Sequence, residues 1–119
     1  EATEPVTDWS FVNNVGLCQV EVQALIPWSV NLNCMSDQKK LYVSCARCDG
    51  KFWSSVALRN ESGRIAIGDR VYPVRVRRVL DPEELDRAWQ ARATKTGRGS
   101  SQTRADHWWS FELTSAVAR

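Results

Sequence analysis

Cys18-Gln19-Val20-Glu21-Val22-Gln23-Ala24, then Leu25-Ile26-Pro27, then Trp28-Ser29-Val30-Asn31-Leu32-Asn33-Cys34, alternates apolar and polar residues on either side of the short apolar break. A period of two belongs to a strand with one buried face. A three-residue hairpin loop at Leu25-Ile26-Pro27 sets Ala24 opposite Trp28, Val22 opposite Val30, Val20 opposite Leu32 and Cys18 opposite Cys34. Leu41, Val43 and Cys45 continue the pattern, and a four-residue loop at Asp37-Gln38-Lys39-Lys40 sets Cys34 opposite Val43 and Leu32 opposite Cys45. Both registers keep the apolar residues on one face, which a slip of one residue does not. The reading is three antiparallel strands.

Upstream, Glu1 to Asp8 is polar and is expected to be a mobile leader, with Trp9 and Phe11 anchoring the start of a single domain over 9–119. Downstream, the turn Cys45-Ala46-Arg47-Cys48-Asp49-Gly50-Lys51 leads into a short helix over Lys51 to Arg59. Its buried side is either Phe52, Val56 and Arg59 or Trp53, Val56 and Ala57. Asn60-Glu61-Ser62-Gly63 ends it. Ile65 and Ile67 begin a fourth strand, Gly68-Asp69 is a two-residue turn, and Tyr72, Val74 and Val76 line the inner face of a fifth, with Arg75 and Arg77 outward. Asp81-Pro82-Glu83-Glu84 combines an N-cap acid, Pro at the first helical position and Glu at the third. The helix it opens is expected to reach about Thr94, with Leu85, Ala88, Trp89 and Arg92 in one stripe. Thr96 to Arg104 is a polar, Gly/Ser-rich loop expected to be mobile. Trp109, Phe111 and Leu113 alternate as a last strand.

A chain of 119 residues can bury one modest core without metal or disulfide staples. A net charge of +2 is too small to indicate a nucleic-acid or membrane-surface binder, and there is no transmembrane segment. The chain opens at Glu1 without an initiator Met, which reads as a processed or trimmed form.

Four cysteines leave the compartment open. A zinc site needs four converging ligands, whereas Cys18 and Cys34 are single strand residues aimed at an apolar core. A thioredoxin-like pair places CxxC at a helix N-terminus, as Cys45 and Cys48 do here, but on parallel βαβ units that these hairpins do not form. Structural disulfides or buried thiols are the remaining reading. In an oxidising compartment Cys18–Cys34 and Cys45–Cys48 are the natural bridges. His107, the sole histidine, sits beside Trp108 and reads as a strand-edge residue rather than a general acid–base catalyst, and with one unplaced histidine no Ser-His-Asp set can be assigned. No Gly-rich phosphate loop or paired metal-binding His occurs.

Between Trp28 and Ala93 the order of elements resembles the split β-barrel of flavin-binding proteins, the relatives of pyridoxamine-phosphate oxidase and of deazaflavin-dependent nitroreductases. The resemblance rests on Leu41-Tyr42-Val43 to Lys51-Phe52-Trp53, on Arg64-Ile65-Ala66-Ile67-Gly68-Asp69-Arg70-Val71-Tyr72-Pro73-Val74-Arg75 and on Asp81-Pro82-Glu83-Glu84. It implies a mainly β fold with two or three helices and about six antiparallel strands in a split barrel, built as a homodimer around FMN or a deazaflavin. It further implies that Ser44, Arg47, Lys51 and Ser54 hold the cofactor phosphate, since a helix N-terminus offers N–H groups and a nearby cation neutralises the anion. Trp53, with Trp28 and Trp109, is a candidate to stack on the flavin ring, with core packing as the other account of all three. The activity implied is oxidoreduction of a small, quinone or nitro-type substrate. Cys45 and Cys48 depart from the small or hydroxyl residues usual in that turn. The opening Glu4-Pro5-Val6-Thr7-Asp8-Trp9-Ser10-Phe11 resembles exported or periplasmic, often lipid-anchored, bacterial members. The alternatives are an exported ligand-binding or interaction module that has lost the cofactor, and a CxxC thiol-redox or zinc-binding protein.

Overall fold

The computed structural model describes residues 2–45, 51–97 and 103–117. Its strands are β1 (Cys18–Val22), β2 (Trp28–Asp37), β3 (Lys40–Cys45), β4 (Ser62–Ile67), β5 (Arg70–Arg78) and β6 (Trp109–Ser115). They close into an antiparallel barrel in the order β1-β2-β3-β6-β5-β4. Two helices, α1 (Phe52–Arg59) and α2 (Pro82–Thr96), and a 3₁₀ helix at Ser10–Asn14 accompany them.

Alternation places Cys18, Val20, Val22, Cys34, Leu41, Val43, Ile65, Val74, Val76, Phe111 and Leu113 inside, all nearly inaccessible to solvent. Trp9 and Val12 from the 3₁₀ helix, and Trp53, Val56 and Ala57 from α1, join the same core. Trp53, Val56 and Ala57 are therefore buried together and Arg59 is exposed, while the Phe52 side chain of the alternative face lies outside the described residues. A second, smaller core lies outside the barrel wall, where Met35, Tyr42, Val79 and Trp108 meet Ala88 and Trp89 of α2. The Trp89 and Trp108 rings meet edge to face at 5.2 Å.

Local signals set the ends of α2. The Asp81 carboxylate accepts a hydrogen bond from the Glu84 N–H at 3.0 Å, and Gly97 closes the helix at φ 71°. The helix runs to Thr96, two residues past the expected end. The β4–β5 hairpin turns on Gly68 at φ 62° and Asp69, with Ile67 paired to Arg70. The β2–β3 register is the expected one, Cys34 opposite Val43, but its loop is only Gln38-Lys39, because Asp37 and Lys40 pair across it.

The β1–β2 register differs from expectation by two residues. Val22 pairs with Trp28, Val20 with Val30 and Cys18 with Leu32, leaving 23–27 as the loop. A three-residue hairpin favours a residue that tolerates positive φ, and Leu25-Ile26-Pro27 supplies none. A shift of two preserves the buried face. Cys18 and Cys34 are consequently diagonal rather than opposite, and they form a disulfide with Cα atoms 5.8 Å apart. By closing a 16-residue separation, that bridge contributes about 3 kcal/mol through restriction of the unfolded chain.

Residues 2–8, expected as a mobile leader, lie along the barrel. The Ala2 N–H donates to the Val71 carbonyl at 2.8 Å, and Ala2 and Val6 pack on the main core. The expected mobile loop at 96–104 falls mostly outside the described residues.

Candidate functional site

The first turn of α1, the end of β3, the start of β6 and the end of β5 meet at one end of the barrel. Cys45 pairs with Trp109, and Arg78 pairs with Phe111. The Trp53 ring lies 5.2 Å from that of Phe111, which lies 6.4 Å from that of Trp109. These contacts tie the helix start to the strand ends.

Lys51 is the N-cap of α1 and is exposed. Among the described residues no side chain caps the helix, and its first turn contains no acidic residue. The positive end of the helix dipole is thus not offset by an acid within that turn. The Ser54 and Ser55 hydroxyls both donate to the Lys51 carbonyl, at 3.1 and 2.9 Å, which fixes the entry to the helix. Nearby, the Arg78 guanidinium lies 3.6 Å above the Trp109 ring, and its Nε is buried without an acceptor among the described residues. This end thus presents Lys51 at the helix start and Arg78 against a half-buried tryptophan.

The residues implied by the resemblance divide between this surface and the interior. Lys51 faces solvent. Ser54 and Trp53 are buried, the first hydrogen-bonded to the N-cap carbonyl and the second packed on Phe111, its indole N–H without an acceptor among the described residues. Ser44 is buried on the β3 face opposite to Val43, beside Ser110, whose hydroxyl donates to the Val43 carbonyl at 3.1 Å. Arg47 and Cys48 lie outside the described residues. Trp28 is half exposed and opens β2 at the β1–β2 loop, while Trp109 sits at the cationic end. Arg78 is the residue that sequence reasoning missed. Its signal was parity: it follows Tyr72, Val74 and Val76 in the inward phase of β5, where a cation is unexpected unless the strand has reached the barrel rim.

Cys18, Cys34 and Cys45 are all disulfide-bonded, so none of them is a free thiol or thiolate ligand. The proposed partner of Cys45, Cys48, lies outside the described residues.

A separate groove of about 630 Å³ runs between α2, the 3₁₀ helix and the end of β2, past Asn13, Asp37, Arg87, Gln90 and Lys95. Its polar groups largely serve the fold. Asn13 brackets the Ser36 backbone, accepting from its N–H at 2.9 Å and donating to its carbonyl at 3.2 Å. Lys95 donates to the carbonyls of Gly16, at 3.0 Å, and Cys34, and burial lowers its pKa. Arg87 pairs with Asp37 at 3.4 Å.

The closed six-strand barrel with its two helices is a split β-barrel. No protein-family model matches the sequence. No curated protein matches it either. Solved structures do share the fold. A Listeria innocua protein provisionally assigned as a pyridoxamine 5'-phosphate oxidase is similar at TM-score 0.69 and 12% identity, over 89% of this chain and 88% of that one. A Bacteroides thetaiotaomicron protein provisionally assigned to 5-nitroimidazole antibiotic resistance is similar at TM-score 0.68 and 14% identity, over 97% and 84%. A third, described as a domain-swapped dimer, is similar at TM-score 0.65 and 16% identity, over 89% and 81%. At these identities the likeness is one of fold.

Proposed function

We propose that this protein binds FMN or a deazaflavin at the Lys51–Arg78–Trp109 end of the barrel and that a homodimer completes the site. The observation that carries the proposal is the start of α1, which among the described residues has neither a side-chain cap nor an acid in its first turn, with Lys51 at its N-cap and Arg78 against Trp109 at the same end of the barrel. That donor set fits a phosphate or other anionic cofactor tail. Lys51 and the helix start would hold the tail, Arg78 would add charge, and Trp109 would offer the aromatic face that the buried Trp53 does not. When bound, such a cofactor supplies the electron-transfer chemistry, and the protein supplies binding, orientation and electrostatics. A small, quinone or nitro-type substrate at the ring is the corresponding oxidoreductase activity. The Cys18–Cys34 disulfide supports placing the protein in an oxidising, exported or periplasmic setting.

The burial of Ser44, Trp53 and Ser54 favours a second reading, a barrel that has given up the cofactor and serves as an exported interaction module. An absorbance spectrum of the purified protein, followed by titration with FMN and with a deazaflavin, separates the two. Saturable binding that weakens about tenfold in Lys51→Ala, the loss typical of one charge-assisted hydrogen bond, supports cofactor binding. No binding at millimolar ligand selects the second reading.

A further inference from the structure

The β1–β2 loop leaves large apolar side chains in water. Leu25 is 103% exposed, Ile26 75% and Trp28 50%. The last turn of α1 lies against the base of this loop, where the Asn60 side-chain amide donates to the Gln23 carbonyl at 3.4 Å, and it adds Leu58 at 52%. Isolated exposed leucines are ordinary, but consecutive ones at the apex of a hairpin, with a tryptophan at its base, are not.

Shape and charge indicate what covers them. A side chain as exposed as Leu25 has nothing beside it among the described residues, so the loop is a convex apex rather than a groove or a flat face. A convex apolar tip needs no matching pocket if its partner is fluid. The surrounding charges are mostly positive: Arg59 follows Leu58, and Arg75 pairs with Ser62 at the same end of the sheet. Of the acids there among the described residues, Glu21 is bound by Arg64 at 2.9 Å, which leaves Glu61. An apolar tip with an indole at its base and cations at its flanks is the pattern of an interfacial lipid anchor.

We infer that the Leu25-Ile26-Pro27-Trp28 loop inserts into the interface of an anionic phospholipid membrane, with Arg59 and Arg75 against the headgroups. The modest net charge of +2 is no obstacle, because the attraction is local and chiefly apolar. The surface involved is the β1–β2 loop, and the inference stands apart from cofactor binding at Lys51.

The test is co-sedimentation of the intact chain with vesicles of phosphatidylglycerol and phosphatidylcholine, against vesicles of phosphatidylcholine alone. Binding should be stronger to the anionic vesicles and should weaken with salt. The double variant Leu25→Ser/Ile26→Ser removes exposed side chains only, so its thermal unfolding should match the parent while its partition coefficient falls about tenfold or more. Leu58→Ser should cause a smaller loss. Absence of binding at millimolar lipid overturns the inference, as does binding that the double variant leaves unchanged. Concentration-dependent dimerisation that the double variant abolishes, with no vesicle binding, also overturns it and assigns the tip to a second copy of the chain.

Discussion

At the scale of single residues, Tyr42 has the most consequential polar contact. Its side chain is buried in the outer core, and its hydroxyl donates to a Glu84 carboxylate oxygen at 2.5 Å, joining β3 to α2. Charge-assisted hydrogen bonds contribute about 1.5–3 kcal/mol, so Tyr42→Phe is expected to lower unfolding stability by roughly that amount. Burial first, then the hydrogen bond and charge of Glu84, raise the tyrosine pKa well above its ordinary 10.0. The folded protein therefore keeps this proton at pH values where the unfolded chain loses it. The contribution is intact below about pH 10 and declines above it by up to about 1.4 kcal/mol per pH unit. Lys95, whose pKa burial lowers, acts in the opposite sense in that range, and subtracting the Tyr42→Phe profile cancels it. Denaturant unfolding of both proteins between pH 8 and pH 11, with a steeper alkaline loss only when Tyr42 is present, is the expected result. The same scale shows why the site was half legible. Lys51 announced itself by following a turn and opening a helix, but Trp53 and Trp109 look alike in sequence, and only the packing of Phe111 between them shows that one is core and the other rim.

At the scale of elements, strand identities and both helix starts were readable because period-two alternation and the Asp81-Pro82 cap are local signals. Turn geometry was less so. The β2–β3 turn uses Gln38 at φ 52° and Lys39 at φ 68°, a type I′ arrangement usually built from Asn-Gly. Neither residue advertises it, and the register of the flanking strands imposes it. L-residues are disfavoured there by about 1–2 kcal/mol, and glycine regains part of that at the cost of added freedom in the unfolded chain. Lys39→Gly is expected to raise stability by about 0.5–1 kcal/mol, measured as an increased denaturant midpoint at constant slope. The Lys39 carbonyl that accepts from the Trp9 N–H at 2.9 Å is retained in the variant. By contrast, the β1–β2 loop was misread because a two-residue shift preserves the alternation and so leaves the pattern silent between registers.

At the scale of the whole molecule, hairpins alone make ribbons, and what makes a barrel is the pairing of β1 with β4, of β3 with β6 and, across α2, of β5 with β6. Those contacts join residues far apart in sequence, such as Val22 with Gly63 and Val43 with Phe111, and no local period reports them. Gly63 shows the difference. In sequence it reads as the end of a helix, yet it is a buried residue of β4 at the seam, where an added Cβ would stand 2.8 Å from the Glu21 backbone carbonyl and 3.3 Å from Val76. The nearer obstacle is backbone and can yield only if β1 and β4 separate. Gly63→Ala is therefore expected to destabilise the barrel by about 1–3 kcal/mol, the usual cost of overpacking. Gly16→Ala is the control, because its added Cβ meets nothing within 4 Å and its backbone is not in the positive-φ region. It should fall within about 0.5 kcal/mol of the parent. Equilibrium unfolding sets the ranking, and amide exchange locates it: faster exchange at Glu21 and Val22 in Gly63→Ala, with β2 and β3 still protected, is the signature of a barrel opened along one seam. Uniform loss of protection, or none, would mean that β1–β4 pairing is not what closes the fold.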